Sequence, residues 1–211
     1  MISMIKAVLF DLDNTLIDFV KMKVESCKSA IKAMIKAGLK IDEKAGLKKL
    51  MDTYFRVGIE SDIAFTKFLE EQTGEVDKNV LQIGINAYLN RKPDFLKPYP
   101  YVLETLEMLK SRDLKLGVVT DATREKALVR LNAMDIIRFF DVIITYDESK
   151  VKKPDELPFR LAMGKLNVNP EETFFVGDSM RRDIEPAKKI GMKTLLIKKY
   201  QDLKKIENLV Q

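Results

Sequence analysis

Asp11 and Asp13 stand two residues apart, directly after the apolar run Ile5, Ala7, Val8, Leu9 and Phe10. Such a run suits a strand buried on both faces of a parallel sheet. Its abrupt end at Asp11 puts both acids at the carboxyl edge, where open α/β sheets bind their ligands. An Asp-x-Asp there offers one carboxylate as nucleophile and its neighbour as proton donor and acceptor. The same segment, Asp-Leu-Asp-Asn-Thr, also reads as a polar turn, because Asp and Asn favour turns. The chain contains no histidine, which removes the usual general base, the common zinc ligand and every Ser-His or Cys-His nucleophilic pair. Cys27, the single cysteine, has no disulfide partner and reads as a core residue of a helix. Any catalysis must then run on carboxylates, lysine and metal.

The elements that would position these groups follow from hydrophobic spacing. After a short linker at Leu16 to Phe19, Val20, Val24, Cys27, Ile31, Met34 and Ile35 recur at helical spacing up to Gly38. Leu47, Leu50, Met51, Tyr54 and Phe55 predict a second helix. Ser61 is placed to cap a third, through Phe65, Phe68 and Leu69, and Asp77 to open a fourth, through Leu81, Ile85 and Tyr88. A proline-rich connection, Lys92 to Tyr101, closes this helical module. From there helices and strands alternate. Strands are predicted at Leu116 to Thr120, Val142 to Thr145, Thr173 to Val176 and Thr194 to Ile197, and a helix at Ile184 to Ile190. With the first strand these make an α/β fold on a five-stranded parallel sheet, interrupted by a helical insert. The expected organisation is a core of residues 1–19 and 96–211 and an inserted module of residues 20–95.

Composition narrows the function classes. With 46% apolar and 33% charged residues over 211 positions, the chain is that of a soluble globular protein. No apolar run reaches the roughly 18 residues of a membrane span, and Asp11 and Asp13 interrupt the N-terminal apolar segment before it resembles a signal peptide. A cytoplasmic location is expected by default. The net charge of +5 comes from lysines spread along the chain and interleaved with glutamates, a pattern of solvated helix faces rather than of a nucleic-acid surface.

The polar residues fall at telling places on this scaffold. Asp11 ends the first strand, Thr120 the second, Lys153 lies in the loop after the third, and Asp178 follows the fourth by two residues, so all four are expected on one edge of the sheet. Here the chain resembles the haloacid dehalogenase superfamily. The family's four motifs stand as Asp11-Leu12-Asp13-Asn14-Thr15, Val118-Val119-Thr120, Lys153-Pro154-Asp155 and Gly177-Asp178-Ser179-Met180-Arg181-Arg182-Asp183. The last continues with Ile184, Ala187, Gly191 and Met192 at a spacing common in the phosphoglycolate phosphatase-like branch. The helical insert resembles the family's type 1 cap. Asp121, Tyr101 and Glu156 depart from it, standing where Asn, Gly and Pro are frequent.

The resemblance implies a Rossmann-like core and hydrolysis of a small-molecule phosphomonoester. Asp11 would be the nucleophile and Asp13 the general acid and base. Mg²⁺ would be held by Asp11, Asp178 and the backbone carbonyl of Asp13, with Asp183 completing or supporting that site. Lys153 would neutralise the nucleophile and the transferred group, and Thr120 would hold phosphate oxygens, with Asp121 beside it in substrate binding. Ser179 is expected to line the site, and Arg181 and Arg182 to face solvent or the cap. The cap is expected to move and to select the substrate, and the protein to be a monomer or homodimer with no membrane or nucleic-acid partner. Two other reactions of the superfamily share the nucleophile: a phosphosugar mutase and a 2-haloacid dehalogenase. The presence of Asp13 argues against the latter. A non-enzymatic binding module is the alternative from another class; it would be expected to have lost a charged site residue, and none is missing.

Overall fold

The computed structural model describes residues 4–210. The outermost positions of the expected core, residues 1–3 and 211, lie outside the described residues. The chain divides into two compact units, one of Met1–Asp18 and Leu96–Gln211 and one of Phe19–Phe95.

The first unit is built on a sheet in the order β3-β2-β1-β4-β5, with β1 at Ala7–Phe10, β2 at Lys115–Val119, β3 at Val142–Ile144, β4 at Thr173–Gly177 and β5 at Lys193–Leu196. All neighbours pair in parallel. The chain leaves the centre in one direction through β2 and β3 and in the other through β4 and β5. The switch therefore falls between β1 and β4, where such sheets open a crevice at their carboxyl ends. Phe10 is level with Val118 on one side and Val176 on the other. Two residues further along lie Thr120 and Asp178, and one further along β1 lies Asp11. These groups thus end within about one strand step, ~3.3 Å, of each other along the strand direction.

Burial explains why the strands read as unbroken apolar runs. Every residue of β1 is fully buried. Ala7, Leu9, Val119, Ile144 and Phe175 share a cluster with Phe159, Ala162 and Met163 of α8 (Leu157–Leu166). Phe159 meets Phe175 edge-on at 4.8 Å; burying one such ring contributes roughly 1.5–3 kcal/mol. The remaining helices of this unit are α5 (Val102–Ser111), α6 (Arg124–Ala133), α7 (Tyr146–Ser149), α9 (Glu185–Lys189) and α10 (Ile206–Leu209).

The second unit comprises α1 (Phe19–Lys36), α2 (Glu43–Val57), α3 (Ala64–Thr73) and α4 (Lys78–Arg91). Asp77 caps α4 as expected, accepting from the backbone N–H groups of Asn79 and Val80. Its core joins Cys27, Ile31, Met34, Leu50, Tyr54, Phe65, Phe68 and Leu69.

Several sequence expectations need correction. Ser61 does not cap α3: its backbone N–H closes a turn onto Gly58, and Ile63 holds the cap position in a helical conformation. Val20 and Phe55 are 56% and 72% exposed. The buried faces run instead through Phe19, Met22, Lys23, Ser26 and Cys27 on α1 and through Leu50, Thr53 and Tyr54 on α2. Each misplaced residue lies one position, about 100° of helix, off its stripe. Leu16 to Phe19 is no loose linker either. Leu16 and Ile17 are buried, Ile17 bridges to both Asp13 and Pro98, the Tyr99 N–H donates to Leu16 O at 2.8 Å, and Phe19 already opens α1.

Candidate active site

The sheet edge assembles its charges around Lys153. The chain bends from β3 through α7 to bring this lysine back over the strand ends, where its Nζ donates to Asp11 Oδ1 at 2.6 Å, Asp183 Oδ1 at 2.6 Å and Val119 O at 3.1 Å. Asp11, Lys153 and Asp183 are all buried. The backbone N–H of Lys153 donates to Asp121 Oδ1 at 2.9 Å, so Asp121 ties the lysine loop to the end of β2. Thr15 donates to the other oxygen of Asp11 at 3.3 Å.

The loop after β4 supplies two more acids. Asp178 follows the strand directly. Asp183 arrives through a π-helical turn over Met180–Ile184, a geometry often found at functional sites. The expected helix from Ile184 to Ile190 is α9, and the π turn leads directly into it. Pro186, at the start of α9, has no N–H to lose there. Asp183 Oδ2 accepts from the Ser179 N–H at 2.9 Å, and Ser179 Oγ caps the turn by accepting from the Arg182 N–H at 3.2 Å. This packing requires Gly177. A Cβ there would lie 2.5 Å from Asp183 Cβ and 2.6 Å from its Cγ and Oδ2.

Asp11, Asp178 and Asp183 each present an oxygen within 4.8 Å of the others. Such a cluster is electrostatically costly by itself. Burial pushes the Asp11 carboxyl above its ordinary range, to about 8, against the pull of Lys153, and Asp183 raises it further. Burial and Asp183 also raise Asp178. Burial works against the charge of Lys153, but Asp11, Asp183 and Asp121 outweigh it and keep the ammonium protonated. Asp178 Oδ1 is buried with no hydrogen-bond partner among the described residues, and Arg182 Nη2 stands 3.9 Å away. Three carboxylates and an unbonded buried oxygen suit a hard divalent cation.

Sequence reasoning placed Asp11, Thr120, Lys153 and Asp178 at one edge, and the structure has them at the carboxyl ends of neighbouring strands and their loops. Thr120 is buried, with its Oγ1 accepting from the Ala122 N–H at 3.2 Å. Asp13 is not one of the three clustered acids; its Oδ2 accepts from Arg130 Nη1 at 3.0 Å. Arg182 is exposed, as expected, and its guanidinium also stands 3.6 Å from Asp121 Oδ2 and 3.9 Å from Asp178 Oδ1. Arg181 is exposed. Thr15 and Arg130 were missed. For Arg130 the signal was its place three residues after Ala127 on the buried face of α6. Tyr101 takes the left-handed backbone that glycine favours, φ 73°, while its ring stacks on Tyr200. Beside Asp178 lies a cavity of about 330 Å³ lined by Asn14, Tyr99, Asp178, Ile197, Lys198, Lys199 and Tyr200.

At the switch point of this parallel sheet a buried acid is thus bonded to a buried lysine beside a carboxylate cluster. The chain belongs to the haloacid dehalogenase-like hydrolases, whose family model matches residues 8–197, and it groups with their phosphatases. The glyceraldehyde 3-phosphate phosphatase of Methanocaldococcus jannaschii is 37% identical over 202 residues, covering 95% of this chain and 89% of that protein. The phosphoglycolate phosphatase of Aquifex aeolicus is 32% identical over 191 residues, covering 90% and 84%. A solved HAD phosphatase from Thermococcus onnurineus shares the fold, with a TM-score of 0.74 over 98% of both chains at 24% identity. No helix among the described residues is long and apolar enough to cross a membrane.

Proposed function

We propose that this protein is a Mg²⁺-dependent phosphatase that hydrolyses a small phosphomonoester through a phosphoryl group carried on Asp11. The observation that carries this reading is the bond of Lys153 Nζ to both Asp11 and Asp183, at 2.6 Å each, beside the three-acid cluster. A lysine held there orients Asp11 and pulls it toward its ionised form against burial, and its charge faces the equatorial oxygens of an incoming phosphate. Asp11, Asp178, Asp183 and the backbone carbonyl of Asp13 would hold the cation, which supplies the positive charge that offsets the repulsion between a carboxylate and a phosphate dianion.

In the first step an oxygen of Asp11 forms a bond to phosphorus as the bond to the ester oxygen breaks, and the Asp13 proton passes to the departing alkoxide. In the second step Asp13, now a carboxylate, takes a proton from water as that water attacks phosphorus, and inorganic phosphate leaves Asp11. Thr120 and the N–H groups beside it hold phosphate oxygens, and Asp121 fixes the lysine loop. The helical unit Phe19–Phe95, in the place of the family's cap, is assigned the choice of substrate. Glyceraldehyde 3-phosphate is the first to test, because a relative spanning 95% of the chain is named for it.

The test is turnover of phosphomonoesters with and without Mg²⁺ by the wild type and by Asp11→Asn, which keeps the shape and removes the nucleophile's charge. Metal-dependent turnover that vanishes in a folded variant is expected. Wild-type rates in Asp11→Asn would refute the assignment. For the metal, Asp178→Asn should raise the Mg²⁺ concentration for half-maximal rate by roughly tenfold or more, as loss of one anionic ligand implies; an unchanged value would remove Asp178 from the site.

A further inference from the structure

Lys198 and Lys199 stand just beyond the end of β5, and neither forms an ion pair among the described residues. Gly177 is level with Leu196, and the Ile197 N–H donates to Gly177 O at 2.8 Å, so the β4–β5 pairing runs on to the residue before Asp178. The two lysines therefore lie one and two residues past the point level with Asp178, roughly 3.3 to 6.6 Å further along the strand direction. Both line the cavity of about 330 Å³ beside Asp178, and every residue lining it belongs to the α/β unit. That volume equals roughly ten water molecules, room for a leaving group of a few carbons.

The acid nearest in sequence holds their backbone and not their charge. Asp202 is buried; its Oδ2 accepts from the N–H groups of Lys198 and Lys199 at 3.0 and 3.1 Å, and its Oδ1 faces Lys205 Nζ at 2.7 Å. Tyr200 follows directly, and its ring stacks on that of Tyr99 at 6.0 Å and 24° along the same cavity. The loop is thus fixed by a buried carboxylate and a ring stack, with two adjacent cations held at a cavity that reaches Asp178. Asp178 in turn presents an oxygen within 4.8 Å of Asp11. Neighbouring ammonium groups repel one another, and an anion that accepts charge-assisted hydrogen bonds from them relieves that repulsion. A phosphate at Asp11 already faces Lys153, so these lysines are placed for the other end of the molecule.

We propose that this cavity is a subsite for a second anionic group of the substrate, a carboxylate or a second phosphoryl group on the leaving alcohol, with Lys198 and Lys199 as its specificity-determining residues. The inference rests on the phosphatase reading for the place of the first phosphate. It adds a preference for phosphorylated acids or bisphosphates over esters of the same carbon length that are neutral at the far end.

The experiment compares three-carbon esters that differ mainly in charge at that end: glycerol 3-phosphate, which is neutral there, 3-phosphoglycerate, which has a carboxylate, and glycerol 1,3-bisphosphate. In the wild type kcat/KM should favour at least one anionic ester by roughly tenfold or more, the scale of a hydrogen bond to a charged group. The double variant Lys198→Met, Lys199→Met should lower kcat/KM for that ester roughly 10- to 100-fold and for glycerol 3-phosphate by less than about threefold. Replacing both lysines by arginine, which keeps the charge, should keep the preference. Which anionic ester is favoured separates a carboxylate from a phosphoryl group as the one bound. Calorimetry on Asp11→Asn with Mg²⁺ present reads the same subsite without turnover: the favoured ester should bind more tightly than glycerol 3-phosphate, and the two methionines should erase the difference.

No preference for either anionic ester in the wild type, or equal losses for charged and neutral esters in the double variant, would overturn the inference and leave the lysines a general attraction for phosphate. A preference that survived both methionine substitutions would do the same. If no ester were turned over while the binding preference and its loss held, the phosphatase reading would fall and the subsite would stand.

Discussion

Both units of the molecule bury charge, but they settle it differently. In the helical unit Lys23 lies 3.3 Å above the ring of Tyr54 and donates to Tyr88 Oη at 3.2 Å, so an aromatic face and a hydroxyl are among the groups that meet this cation. In the α/β unit, Lys153 faces Asp11 and Asp183, Arg130 faces Asp13, and three acids crowd within 4.8 Å. The first arrangement fits packing. The second concentrates like charge where a fold alone would avoid it, so its justification lies in what the site binds and does.

Breaking the lysine hub should have the largest effect. Lys153→Met leaves Asp11 and Asp183 buried without their shared cation, so activity should fall roughly 100- to 1000-fold, the scale of one electrostatic donor. The metal-free protein should lose roughly 3–5 kcal/mol, the cost of breaking a buried ion pair. Rates and denaturant melts check both; a variant with normal rates would show that the hub is structural. Gly177→Ala should come next. Its methyl group would strike Asp183, and a displacement of that acid by about 1 Å is expected to slow turnover roughly 100-fold. Near-normal kcat would mean that Asp183 can move without consequence.

The crowding itself predicts a pH dependence. The Asp11 carboxyl lies at about 8 in the fold against an ordinary 3.8. Between these values the folded state binds more protons than the unfolded one, so metal-free stability should fall as pH rises through this window. Lys153, whose pKa is raised, contributes stability that is complete below its ordinary 10.5 and is lost only above it. It therefore does not alter the sign. Asp11→Asn should flatten the slope and raise the melting temperature of the metal-free protein at pH 8. A wild type whose stability is level across this range would contradict the description of Asp11.

The smallest effect belongs to the other side of the comparison. Ser26 is buried in the helical unit with its hydroxyl unbonded among the described residues. Ser26→Ala should stabilise the protein by about 1 kcal/mol, by removing a desolvated polar group, and should leave hydrolysis of a generic aryl phosphate unchanged. A loss of stability would show that the hydroxyl has a partner.

What was legible in the sequence follows the same division. Strand ends were readable because apolar runs stop at Asp11, Thr120 and near Asp178, and parallel pairing turns those stops into one edge. Residues that reach the site across the fold were not. Arg130 reads as one more solvated helix arginine until the register of α6 is fixed, and the nearness of exposed Arg182 to Asp121 and Asp178 follows only from the π turn. Thr15 reads as turn. In the helical unit a stripe wide enough to include Val20 and Phe55 was indistinguishable by hydrophobicity from the true one. The true buried faces also carry the polar residues Lys23 and Thr53, which reach Tyr88 on α4 and Glu71 on α3.

The central claim is that Asp11 carries the phosphoryl group, and mass spectrometry of the protein quenched in acid during turnover addresses it most directly. The account predicts one added phosphoryl group on the peptide containing Asp11, present with wild type, absent in Asp11→Asn, and more abundant in Asp13→Asn with an aryl phosphate, where the base for hydrolysis is missing. Phosphorylation located on any other residue, or turnover of the same substrate with no phosphoprotein in either the wild type or Asp13→Asn, would contradict it.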